Sequence, residues 1–272
     1  MRHVTRSAQS VAPRPGVSAS WRLRLLLQAA LLPACAAFSC ALGAADTNAP
    51  AVEDAETLLS AEQVDKVLAE LPAFKNQGCI KARIVSEWED LLGPRKDEGE
   101  LFLDRPTRIL RKFTKPAYKL WLMDGTQLKE YMPANKSLRV TDFTPAPKKL
   151  KLVRALFSAD IKALRESFSV WVFRREGAGK DQPACYRFVL LTKPGTEKAL
   201  ACKSMQARVF ENELFFHEIR FVPKDGSPTL ERYSELAIVP RPSEKDFQES
   251  LRLPPDVVVK TMLVEGDSDP KK

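Results

Sequence analysis

The chain has 272 residues, with 43 Lys and Arg against 35 Asp and Glu and 8% aromatic residues, enough length to bury a real core as one large or two small domains. Five arginines (Arg2, Arg6, Arg14, Arg22, Arg24) and no acid fall in residues 1–44, so the rest carries 38 bases against 35 acids, a balance of +3. So mild a charge with so few aromatic residues argues against a nucleic-acid-binding surface.

The first element explains the basic excess. Arg22 and Arg24 precede LLLQAALLPACAAFSCALGAA, an apolar run followed by small residues around Ala41, Gly43 and Ala44. This is the layout of a secretory signal over residues 1–44, with a mature chain starting near Ala45. The alternatives are an uncleaved membrane anchor and lipidation at Cys35 or Cys40; every one of them puts the folded part outside the cytoplasm. Residues 45–57 are small, acidic and Pro-containing, and read as a disordered lead.

The main domain is expected over residues 58–265. Ser60-Ala61-Glu62-Gln63 is a capping box, with Leu59 and Val64 placed as a hydrophobic staple. Val64, Val67, Leu68 and Leu71 then give the helix one apolar stripe before Pro72 ends it. In CIKARIVSEWED (79–90), Ile80, Ala82, Ile84 and Trp88 alternate with Lys81, Arg83, Glu87 and Glu89, which predicts a strand with one dry face. GPRKDEG reads as a loop. From Gly99 to Val140 the same period of two recurs in four or five short runs, divided by Asp104-Arg105-Pro106, Lys115-Pro116, Asp124-Gly125 and Ala134-Asn135. Those signals predict an antiparallel meander.

Lys149 to Ser167 reads as one or two short helices, with Leu152, Val153, Leu156 and Phe157 on one side and Ser158 as a cap. Strands resume at 168–174, 185–191, 203–210, 213–222 and 229–239. The total of about eleven is too many for a flat sheet, so the expected fold is α+β and mostly β: an incomplete antiparallel β-barrel with an N-terminal helix and a central helical insert as a lid. Residues 266–272 form a charged tail.

Chemistry-bearing patterns are scarce. His217 is the single histidine after residue 44 and sits in a strand pattern, where a structural role is expected. Glu176-Gly177-Ala178-Gly179-Lys180 lacks the first glycine and the hydroxyl of a phosphate loop. No metal-ligand spacing occurs, and no cofactor is expected. Cys185 and Cys202 occupy comparable positions on neighbouring strands and either form a disulfide or stay as buried thiols.

The order G-E-L-F-L-D-R-P, then Lys115-Pro116, a strand, Asp124-Gly125 and a strand ending in Tyr131 and Pro133 resembles the periplasmic lipoprotein carrier LolA and its relatives. The spacing matches from Gly99 to Pro133, and elsewhere the likeness lies in layout. The resemblance implies a monomeric, non-enzymatic periplasmic carrier that binds the acyl chains of lipoproteins. It would take them from an inner-membrane ABC transporter and pass them to an outer-membrane acceptor. It further implies that Arg105 gates the lid through hydrogen bonds and that Ile109, with Phe113, Leu120 and Leu122, lines an apolar cargo cavity. Arg111, Lys129 and Glu130 stand where carriers often have tryptophan or other apolar residues, which implies a smaller or more polar cavity.

Overall fold

The computed structural model describes residues 50–75, 78–104, 108–133, 136–147, 150, 164–166, 168–177, 182–193, 202–241, 243 and 253–263. The strands are β1 (Glu56–Leu58), β2 (Cys79–Asp90), β3 (Gly93–Asp104), β4 (Arg108–Lys115), β5 (Lys119–Asp124), β6 (Gln127–Met132), β7 (Ser137–Asp142), β8 (Phe168–Arg175), β9 (Cys185–Thr192), β10 (Cys202–Phe210), β11 (Glu218–Pro223), β12 (Thr229–Val239) and β13 (Val258–Leu263). They form one thirteen-stranded sheet in the order β1-β8-β9-β10-β11-β12-β2-β3-β4-β5-β6-β7-β13. Pairing is antiparallel throughout except between β7 and β13. β1 and β13 are the two free edges, so the barrel stays open.

The helix α1 (Ala61–Glu70) starts where its cap predicts: Gln63 N–H donates to Ser60 Oγ at 3.3 Å and Ser60 N–H donates to Gln63 Oε1 at 2.8 Å. Its apolar stripe lies on the inner face of the sheet: Val64 and the C-cap Leu71 are buried there, and Val67 and Leu68 are half-buried against the same core. A 3₁₀ turn, Pro72–Phe74, follows and drives the Phe74 ring against Phe188 (5.2 Å) and Phe216 (5.7 Å). Of the central insert, Leu150 and Leu164 are described and both belong to this inner core; Leu152, Val153, Leu156, Phe157 and Ser158 lie outside the described residues.

Three expectations change. The expected loop GPRKDEG is the first half of β3, because Gly93 takes a left-handed φ of +105° and turns the chain straight back onto β2. The strand expected from Glu213 begins at Glu218. Phe215 and Phe216 are both buried, which an alternating strand with one wet face cannot achieve, so the chain turns there. The strand count rises to thirteen because β1 and β13 add an edge each.

The Cys185–Cys202 disulfide is also excluded. In the β9–β10 pair Cys185 faces Phe210, eight positions from Cys202, a separation of about 27 Å at ~3.4 Å per residue. Bridged cysteines have Cα atoms within about 7 Å. Cys79, Cys185 and Cys202 are all buried free thiols, and burial pushes the Cys202 thiol up to about 12. A sheet bend makes another position exacting: a Cβ on Gly99, at the bulge between β3 and β4, would sit 2.2 Å from the Lys112 carbonyl oxygen. Alkylation of the non-reduced protein should label these three cysteines only after denaturation. Gly99→Ala should lower stability by about 1–3 kcal/mol in urea titration; an unchanged midpoint would mean the bulge relaxes freely.

Candidate functional site

Alternation decides which side chains meet inside the curl. Ile109, Arg111 and Phe113 of β4 stand on the inner face, opposite Met123, Trp121 and Lys119 of β5. Ile109 and Phe113 therefore join the core under α1. Leu120 and Leu122 point the other way, into a separate outer cluster with Leu110 and Tyr131, covered by Leu253 and Val257. The four side chains expected to line one cavity are thus split between two faces. The reason is parity: the Ile109–Met123 register puts the odd residues of β5 inside.

Arg111 lies in the middle of this apolar face, 2% exposed, where the register would suit an aliphatic residue. Its Nη1 and Nη2 donate to Glu231 Oε1 (2.6 Å) and Oε2 (2.9 Å) of β12, and Tyr233 Oη donates to the same carboxylate. The guanidinium also lies 5.4 Å from the Trp121 ring centre. β12 and β4 are three strands apart, about 14 Å along a flat sheet at ~4.8 Å per strand. The bidentate contact is therefore a chord that crosses β2 and β3 diagonally, since Arg111 registers with Leu101 on β3 and Glu231 with Ser86 on β2. Burial works against the Arg111 charge, but Glu231 prevails and holds its pKa above the ordinary value; burial also pushes the Tyr233 hydroxyl well up.

Toward the far end of the β2–β3 hairpin the inner face opens into a pocket of about 440 Å³ bordered by Trp88, Pro94, Arg95, Asp97, Pro116 and Lys119. Lys119 Nζ donates to both Asp97 oxygens (2.8 and 2.7 Å) and lies 5.3 Å from the Trp88 ring centre. Burial outweighs the lysine and raises the Asp97 pKa. Beyond the pocket the hairpin tip carries Leu91 and Leu92, 105% and 84% exposed.

On the other side of Arg111, β6 places Glu130 inside, opposite Trp121 and Arg139. The carboxyl is buried, neither oxygen has a hydrogen-bond partner among the described residues, and Arg139 Nη1 approaches only to 3.7 Å. Burial pushes its pKa up to about 7 against the pull of Arg139. Arg105 lies outside the described residues. His217 stacks on Phe210 (4.4 Å between ring centres) with Nδ1 3.1 Å from Glu213 Oε2, a structural arrangement. Among the described residues no group of three His, Cys, Asp or Glu could hold a metal, and no helix is long and apolar enough to cross a membrane.

Glu231, Tyr233 and the burial of Glu130 escaped the sequence reading. A signal existed: each charge sits in phase with the apolar set of its strand, Arg111 with Ile109 and Phe113, Glu130 with Leu128, Glu231 with Tyr233. Phase shows that a charge is inside and leaves its partner open.

No family model and no curated protein matches the chain. Among solved structures it is similar to an uncharacterized conserved protein from Thermus thermophilus, at 9% identity and a TM-score of 0.43, covering 73% of this chain and 99% of that one. A LolA superfamily protein from Nitrosomonas europaea gives 12% identity, TM-score 0.37 and coverage of 69% and 98%. A putative outer membrane lipoprotein-sorting protein domain from Vibrio parahaemolyticus gives 11%, 0.38, and 70% and 96%.

Removing one partner of the chord leaves a buried charge, so Glu231→Gln or Arg111→Met should each cost about 3–5 kcal/mol by urea denaturation. The double variant Arg111→Met, Glu231→Leu should recover much of that; additive losses would show that the pair is uncoupled. Glu130 predicts an opposite sign. Its folded pKa near 7 exceeds the ordinary value of 4.5, so its cost is absent below about pH 4.5, grows as pH rises through that window and is complete above 7. Glu130→Gln should therefore stabilise the protein by up to about 3 kcal/mol at pH 8 and change little at pH 4.

Proposed function

We propose that the protein is an extracytoplasmic, non-enzymatic carrier that binds the acyl chains of lipoproteins under its N-terminal helix and moves them between the inner and outer membranes. The observation that carries the reading is the mismatch between face and cover. A continuous apolar inner face runs from Ile80 and Leu103 across to Phe188 and Phe215, yet the ten-residue α1 sets against it one fully buried side chain, Val64, with Val67 and Leu68 half-buried and Leu71 buried at its cap. A cover held by so little can lift, and the exposed face then offers about 0.8 kcal/mol for each methylene it takes from water. Arg165 to Asp65, a 2.8 Å ion pair between exposed side chains, is the kind of modest polar tie that closes such a lid without locking it. By resemblance Arg105 supplies a second tie.

The apolar run before Ala45 supports export, with hand-off from an inner-membrane ABC transporter and to an outer-membrane acceptor as the corresponding partners. Leu91 and Leu92 at the hairpin tip are suited to touch a lipid surface during transfer. One observation favours a second reading within the same class: the Arg111–Glu231 chord takes up space that acyl chains would fill, which suits a lipid with fewer chains than a triacylated lipoprotein.

Native mass spectrometry of protein isolated from its envelope should show co-purifying acylated peptides or lipids, and the delipidated protein should bind an acyl-chain fluorophore. Failure of both would defeat the carrier reading. Val64→Ser removes the buried anchor of the lid at a cost of about 2 kcal/mol. It should speed probe uptake roughly tenfold or more, since ~1.4 kcal/mol is a factor of ten, while lowering the thermal midpoint by only a few degrees. Unchanged uptake would mean that α1 is not the moving part.

A further inference from the structure

We propose that Glu130 and Thr141 are the point at which the inner face recognises the polar head of an amphiphilic cargo, through a neutral hydrogen-bond donor, amide N–H or hydroxyl, next to the acyl chain. This rests on the acyl-binding reading and names the kind of head group it selects.

Two adjoining strands bring the groups together. Glu130 on β6 and Thr141 on β7 are diagonal neighbours, Thr141 being opposite Leu128 and Arg139 opposite Glu130. Same-face diagonal neighbours stand roughly 7–8 Å apart at the backbone, so their side chains can share one ligand group. Both residues are at least nine-tenths buried, at 5% and 1% exposure. Among the described residues neither Glu130 oxygen nor Thr141 Oγ1 has a hydrogen-bond partner. Buried polar atoms are almost always bonded, so three unbonded acceptor positions at one place on the inner face are a cost that a ligand can remove.

The surroundings select the donor. Arg139 already faces the carboxyl at 3.7 Å, and Arg111 stands one strand beyond Trp121, so a second cation from the cargo would be repelled. An anionic head would meet the Glu130 carboxyl itself. A neutral N–H or O–H satisfies the acceptors without adding charge, and Met123 and Leu128, buried beside them, provide the apolar wall for the adjoining chain.

The test uses delipidated full-length mature protein and three probes of equal chain length: lauramide, lauric acid and methyl laurate. Wild type should bind the amide about tenfold or more tighter than the ester, the worth of one well-placed hydrogen bond. Glu130→Leu and Thr141→Val should each erase that preference while ester binding stays the same or tightens. Thr141→Val changes a single atom type at constant shape, so it reads the site even if Glu130→Leu impairs folding. Equal binding of amide and ester by wild type, or a preference that survives in both variants, would overturn head-group recognition with acyl binding intact. Preference for the acid would overturn the neutral-donor assignment. Binding of none of the three would overturn the acyl-carrier reading and this inference with it.

Discussion

The curl of the sheet depends on one buried ion pair. A row of strands as long as this one has no intrinsic reason to stop at a particular curvature, and its two edges, β1 and β13, never meet. Arg111 and Glu231 fix the distance between β4 and β12 because each leaves an uncompensated charge in an apolar interior unless the other is within reach. Tyr233 completes the carboxylate's bonding. Either side of the pair lie the mixed pocket at Lys119 and Trp88 toward the hairpin tip, and the buried carboxyl of Glu130 toward β7.

Two apolar faces follow from such a sheet, and each has its own cover. The inner face takes α1, the 3₁₀ turn and the described parts of the central insert. The outer face of β4 to β7 takes Leu253 and Val257 on the segment that leads into β13. A third attachment holds the other edge, where the buried Arg187 donates to Glu56 and to the Ala51 carbonyl and lies 4.3 Å from the Phe173 ring centre. Burial opposes the Glu56 charge, yet Arg187 holds its pKa below the ordinary value. The N-terminal edge is thus pinned by a buried ion pair, whereas the segment into β13 rests on the half-buried Leu253 and Val257, and α1 on Val64, Leu71 and the half-buried Val67 and Leu68.

Much of this protein was determined by sequence alone. Ser60 and Gln63 placed the helix start because capping is a local bond between residues three apart. Asp124-Gly125 placed a hairpin, and the alternation in CIKARIVSEWED gave the correct dry face, since a strand's period needs no knowledge of its neighbours. Only the tertiary structure decided which face of β5 is inside. Tyr118, Leu120 and Leu122 look as apolar as Trp121 and Met123, and the choice was made by registration against Ile109 on β4. It likewise decided the partner of Arg111, 120 residues away in Glu231, and the distance between Cys185 and Cys202. Periodicity is written into one strand at a time, whereas register, curvature and charge pairing exist only once strands distant in sequence lie side by side.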